Sequence, residues 1–262
     1  GRRLDGELMN LFYTHTHITD QRYDEDREAL LAALPEKDVA LVLDCATEPG
    51  DWDAVEALSA APYAYVAYGI HPHSAAEAPK DYLGRLEERL KQPKCVAVGE
   101  IGLDYHYDFS PRDIQKRVFV EQIELAISLD LPIVVHDREA HKDILDTLNQ
   151  YKGRLRGELH CYTGSAEMVR DVLKLDFYMG FGGSLTFKNA VKTVKAAEAA
   201  PLERILIETD CPYLTPEPFR GKRNDPSFVR YPCAKLAEIK GLSVEEVAEI
   251  TFENGKRLFR ID

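Results

Sequence analysis

Eight short apolar runs recur along this chain, at residues 11–13, 39–44, 63–70, 95–99, 132–136, 157–160, 177–181 and 205–209, and stretches with helical character separate many of them. Helices are expected at 24–34, 81–91, 112–129 and 139–151; in the third, Val118, Ile123 and Ile127 recur at helical spacing. Repeated βα units around a parallel sheet produce this alternation. Eight units close a barrel, and 262 residues are near the roughly 250 typical of one. An open doubly wound sheet alternates in the same way but carries a glycine-rich phosphate loop after its first strand. Here the first run leads into His15-Thr16-His17, and no GxGxxG occurs. The expected fold is therefore α/β, a single (β/α)8 TIM-type barrel over residues 9–262. Residues 1–8 are expected to be an expression remnant or disordered lead-in before Met9. Residues 243–259 read as a closing helix, with Ser243 as N-cap and Glu246 completing a capping box.

Composition narrows the function. No apolar run approaches the ~20 residues that cross a bilayer, and the N-terminus lacks the pattern of a secretory signal. Five scattered cysteines without a CxxC pair indicate neither a disulfide framework nor a zinc finger. A cytoplasmic location is expected. The net charge of −12 disfavours non-specific binding to DNA or anionic membranes, which needs Lys and Arg to neutralise phosphates, so a nucleic acid would have to be gripped locally.

In a (β/α)8 barrel the active site lies at the C-terminal ends of the strands. The polar residues that end these runs are His15 and His17 on the first, His71 on the third, Glu100 on the fourth, His136 on the fifth, His160 on the sixth and Asp210 on the eighth. In an extended segment residues i and i+2 share a face, so His15 and His17 can grip one ion together. Imidazole and carboxylate suit zinc, manganese or iron, and oxygen-rich sites favour magnesium. Glu100 is placed to bridge two ions, and two ions roughly 3.5–4 Å apart would activate a water and stabilise both oxygens of a phosphoester displacement.

A lone HxH is a weak signal, His136 alone reads as an ordinary strand-end histidine, and Glu100 alone as a rim carboxylate. Six strand-end residues of metal-ligand type together are not explained that way. His71 is expected to contact substrate, His73 to shape its loop, His141 to be solvated, and His106 to line the pocket or lie on the surface. Cys161 and Cys211 adjoin site residues, but their neighbours are better explained as ligands than as a nucleophile's partners. The run Arg220-Gly221-Lys222-Arg223-Asn224 places cations just beyond the last strand, as a phosphate grip or as a solvated cluster. Tyr105, Phe109, Tyr162 and Phe187 lie in strand-end loops, where aromatic residues either stack on bases or pack.

Ordered segments along nearly the whole chain resemble the TatD-type metal-dependent deoxyribonucleases. They are Thr14-His15-Thr16-His17, Gly69-Ile70-His71-Pro72-His73, Gly99-Glu100-Ile101-Gly102-Leu103-Asp104-Tyr105, His136-Asp137-Arg138-Glu139-Ala140, His160-Cys161-Tyr162-Thr163-Gly164-Ser165, Glu208-Thr209-Asp210-Cys211-Pro212-Tyr213-Leu214 and the cationic loop. The resemblance implies one, two or more divalent ions, Mg, Mn or Zn. His15, His17, Glu100 and Asp210 would hold one, and Glu100, His136 and His160 the second. It further implies Asp210 as general base with Glu100 as the other catalytic carboxylate, and His71 and Arg223 as phosphate contacts. The implied activity is 3′-to-5′ exonuclease or related phosphodiesterase action on DNA, with single strands the expected substrate and neither membrane nor obligate protein partner. Glu208 shares a strand face with Asp210 and is expected to orient a ligand from one layer deeper.

Two positions depart from the family pattern. Tyr13 stands where an acidic residue usually precedes the paired histidines, and Asp137 where serine more often follows the histidine. The change at Tyr13 is expected to remove a hydrogen-bond acceptor from one imidazole and weaken metal binding. Two other functions use the same ligands: hydrolysis of a small amide, ester or lactone, and a catalytically silent metal-binding scaffold.

Overall fold

In the computed structural model of this chain, residues 9–208 and 210–262 are described; the expectation for residues 1–8 falls outside them, as does Thr209. All eight expected runs form strands: β1 (Leu11–Thr16), β2 (Val39–Cys45), β3 (Ala64–Tyr68), β4 (Cys95–Asp104), β5 (Ile133–Arg138), β6 (Gly157–Leu159), β7 (Tyr178–Phe181) and β8 (Ile205–Ile207). They pair in parallel in chain order. Helices α1 (Arg27–Ala33), α2 (Trp52–Leu58), α3 (Tyr82–Leu90), α4 (Arg112–Ser128), α5 (His141–Asn149), α6 (Val169–Lys174), α7 (Val191–Ala199), α8 (Arg230–Lys240) and α9 (Val244–Phe259) follow the strands. The architecture is the expected (β/α)8 barrel.

The closing edge is stitched indirectly. The Thr14 hydroxyl donates to the Ile207 carbonyl at 3.0 Å, and beyond β8 the chain meets β1 again where Thr16 bridges to Cys211. Two apolar layers hold the barrel. Phe12, Leu43, Ala67, Ala97, Val134 and Leu206, one from each of six strands, fill the interior, and α9 closes its lower end with Leu258 and Phe259. A larger shell lies between strands and helices. Gly255 lets α9 approach this closely, since a Cβ there would fall 2.3 Å from the Phe12 ring. Ser243 caps α9 by accepting from the Glu246 amide at 3.1 Å. The reciprocal half of the expected box is replaced, because Glu246 takes the Ser243 hydroxyl at 3.0 Å.

β4 runs five residues past its expected end because β5 pairs with it as far as Asp104 and Arg138. Glu100 and Asp104 are thereby both held by strand backbone. Gly102 permits this pairing, since a Cβ there would lie 1.9 Å from the His136 carbonyl oxygen. No helix among the described residues is long and apolar enough to cross a membrane.

Candidate metal centre

Parallel closure carries the strand ends to one mouth, and the six expected ligand residues converge there. Four atoms form a compact set: Nε2 of His15, Nε2 of His17, Oδ1 of Asp210 and Oε2 of Glu100. His15 and His17 are 3.1 Å apart, Glu100 lies 3.2 and 3.3 Å from them, and Asp210 lies 3.5 and 3.3 Å from them. Ligands bonded to zinc at about 2.0–2.2 Å stand roughly 3.0–3.5 Å from one another, so the set has the spacing of a coordination shell. The other Glu100 oxygen, Oε1, faces a second set, with Nδ1 of His136 at 3.1 Å, Nε2 of His71 at 3.6 Å and Nε2 of His160 at 3.7 Å. One carboxylate thus addresses both groups.

The outward nitrogen of each imidazole decides what its inward nitrogen can do. His17 Nδ1 lies 2.9 Å from the Cys45 carbonyl. A carbonyl only accepts, so Nδ1 carries a proton and in the neutral ring Nε2 keeps its lone pair for the mouth. His15 Nδ1 meets the Cys45 sulfur at 3.6 Å. His160 Nδ1 stands 2.7 Å from Glu208 Oε1, a close contact with a carboxylate that also accepts the Cys161 amide. His136 Nε2 stands 2.8 Å from Asp104 Oδ2, which His73 Nε2 approaches at 2.9 Å. His71 differs. Its Nδ1 accepts the His73 amide at 3.1 Å, so in the neutral ring Nε2 carries the proton and enters the mouth as a donor, unsuited to ligate an ion.

Charge follows these contacts. Burial pulls His71 down to about 4, with His136 beside it adding to the shift. His15 is lowered by burial and by His160. For His136 burial is outweighed by Asp104 and Glu100, which raise it to about 9; His17 and His160 are likewise raised by the carboxylates around them. Burial would lift the Glu100 and Asp210 carboxyls, but the surrounding imidazoles hold both well below the usual carboxylate range. The cluster is therefore ionic without an ion, and divalent cations binding here would displace imidazolium protons. The donors fit such ions because each ligand imidazole has its other nitrogen engaged.

Three expectations need correction. Arg223 is engaged elsewhere: its guanidinium grips Asp26 at 2.9 and 2.6 Å, donates to the Arg22 carbonyl at 3.0 Å, and lies over the Tyr23 ring. A bidentate pair of this geometry already engages the guanidinium expected to contact phosphate. Tyr13 does not face the imidazoles either. Its side chain is buried in the shell behind the barrel, where Cys211 and Tyr23 are its polar neighbours, and Cys45 orients His15 and His17 instead. His141 is not simply solvated: it meets Asp137 at 2.5 Å, and Asp137 also takes the Ala140 amide, so that the residue after His136 shapes the start of α5.

Asp104 and Cys45 carry orienting contacts that the sequence reading missed. The signal for Asp104 was its even spacing from Glu100 along one strand, hidden while the strand was ended at Gly99. For Cys45 half of the contact is a backbone carbonyl, which no side chain announces. Arg220 lies 3.8 Å from the Phe187 ring and Tyr162 is buried, so these loop aromatics pack, whereas Phe109 is exposed.

Known proteins share this sequence pattern and fold. The family described as TatD related DNase matches residues 12–260. The metal-dependent hydrolase YabD of Bacillus subtilis is 45% identical over 254 residues, covering 96% of this chain and 100% of its own. The 3′-5′ ssDNA/RNA exonuclease TatD of Pectobacterium parmentieri is 28% identical over 259 residues, covering 96% and 100%. Among solved structures, the TatD homologue YJJV of Escherichia coli superimposes with a TM-score of 0.90 at 30% identity, covering 96% of this chain and 98% of that one. The chain therefore belongs to the TatD-related DNase family of metal-dependent hydrolases.

Proposed function

We propose that this protein is a two-ion phosphodiesterase that removes nucleotides from the 3′ end of single-stranded DNA. The observation that carries the reading is the split of Glu100, whose Oε2 stands 3.2–3.3 Å from His15 and His17 and whose Oε1 stands 3.1 Å from His136 and 3.7 Å from His160, the last lying between the two sets at 3.5 Å from Asp210. In this reading His15, His17, Asp210 and Glu100 hold one ion, and Glu100, His136 and His160 the second. The ions, when bound, supply the positive charge that activates water and stabilises the leaving oxygen.

The chain's own residues do the rest. Asp210, with its side chain 20% exposed against 4% for Glu100, is the carboxylate open to the mouth and receives the proton of the attacking water. Glu100 stays buried and holds the two ligand sets in register. His71, neutral with its proton on Nε2, donates to a non-bridging phosphate oxygen. Arg22 and Arg138, at the ends of the mouth, have no carboxylate within ion-pair distance among the described residues. These free guanidinium groups favour phosphate over a neutral carbonyl substrate.

The test is a 5′-labelled single-stranded oligonucleotide incubated with protein loaded with magnesium, manganese or zinc. Shortening from the 3′ end is expected, together with a loss of at least several powers of ten in Asp210→Asn. Intact oligonucleotide with every metal at full occupancy overturns the reading.

A further inference from the structure

Six large apolar side chains are exposed among the described residues, and four of them, Tyr107, Phe109, Tyr213 and Leu214, sit on two loops at the mouth. Tyr107 and Phe109 follow Asp104. Their rings are parallel within 9° at 5.1 Å, and Phe109 meets His73 edge-on at 4.8 Å, beside His136. Tyr213 lies on the opposite flank, three residues after Asp210, with its amide bonded to the Asp210 carbonyl at 2.8 Å. The three rings are 47%, 65% and 44% exposed, so packing does not account for them. Each flank also carries a guanidinium that lies over a ring, Arg138 over Tyr107 at 5.0 Å and Arg22 over Tyr213 at 4.8 Å, so that the outer face of Phe109 and the second face of Tyr213 are the ones left open. Neither guanidinium has a carboxylate within ion-pair distance among the described residues, although acids are near: Asp20 accepts the Arg22 amide at 2.9 Å and lies 3.3 Å from the Tyr213 hydroxyl, and Glu139 lies 3.2 Å from His106.

A partly exposed ring capped by a guanidinium that has no carboxylate partner matches the alternation of base and phosphate along one strand. We propose that the Tyr107–Phe109 pair and Tyr213 are two stacking subsites for unpaired nucleobases, one on each side of the cleavage point, with Arg138 and Arg22 on the adjoining phosphates. The inference rests on the nuclease reading of the same mouth and gives its single-strand preference a structural basis in named residues, because base pairing and stacking inside a duplex cover the faces these rings would use. The Tyr107 and Phe109 rings are held in place before binding by their mutual stack and by His73, and Tyr213 by Arg22 over its ring, so little side-chain freedom is lost when a base arrives.

The test compares the metal-loaded wild-type protein with the Tyr107→Ala/Phe109→Ala double variant and with Tyr213→Ala. Binding of a fluorescent single-stranded oligonucleotide is read by anisotropy, beside an abasic strand of equal length, and cleavage of each is followed in parallel. Base–aromatic stacking of about 1–3 kcal/mol per base predicts a loss of roughly 5-fold to 150-fold in affinity for the base-bearing strand. The preference over the abasic strand should shrink with it, and Tyr107→Phe/Phe109→Trp should restore it. Wild-type binding and cleavage with unchanged affinity in both alanine variants overturns the subsites alone. Binding that weakens in the variants, with no cleavage by any form, supports the subsites and overturns the nuclease reading. No binding by the wild type overturns both.

Discussion

Oε1 of Glu208 stands 2.7 Å from Nδ1 of His160, both side chains almost wholly buried, and the contact leaves Nε2 of His160 facing Glu100 and Asp210. A carboxylate behind a ligating imidazole fixes the ring and raises its basicity. Glu208→Ala should therefore lower divalent-metal affinity by about 10–100-fold, measured by competition with a chelator. An affinity equal to wild type would show that His160 is oriented without it.

Tyr13 should matter to folding and not to metal. Tyr13→Phe is expected to leave metal affinity unchanged, because Cys45 supplies the contacts to His15 and His17. Tyr13→Asp places a carboxylate in a fully buried apolar shell and should destabilise by about 2 kcal/mol or more, read from chemical denaturation. A weakened metal site in Tyr13→Phe would contradict this.

The barrel was legible in the sequence because the alternation of strands and helices is a local signal repeated eight times, and the cluster of candidate ligands was legible because its members end those strands. What lay hidden depends on pairing across the sheet. β4 continues to Asp104 only because β5 accompanies it, so the role of Asp104 behind His136 could not be seen before the sheet formed. The Arg223–Asp26 pair joins residues 197 positions apart, and no spacing rule reveals that a cation near the mouth has already found its partner.

Gly102 is expected to be intolerant of any side chain. With φ at 151° and a substituent falling 1.9 Å from the His136 carbonyl, Gly102→Ala must separate β4 from β5. The expected result is a loss of more than about 3 kcal/mol together with weaker metal binding, measured on the same protein by denaturation and chelator competition. Wild-type stability would mean that the strands part without strain.

Metal-free protein should lose stability as the solution turns alkaline. Burial lowers His136, but Asp104 and Glu100 raise it overall from 6.5 to about 9 in the folded chain. The folded state thus binds the proton more tightly than the unfolded one. That stabilisation is complete below pH 6.5 and is lost as pH rises through about 9. His17 and His160 are raised as well and act in the same direction. Metal-loaded protein should show the opposite trend over neutral pH, since ions bind the deprotonated rings. Thermal unfolding at a series of pH values, with and without chelator, checks both; parallel curves would contradict the assignment of these rings as ligands.

The most direct measurement is the rate of nucleotide release from single-stranded DNA as metal is added back to metal-free protein in measured equivalents. If Glu100 joins two ions in one catalytic centre, activity stays low through the first equivalent and rises to its plateau as the second is bound. A plateau reached at one equivalent, or no release after both sites are filled, would contradict a two-ion phosphodiesterase.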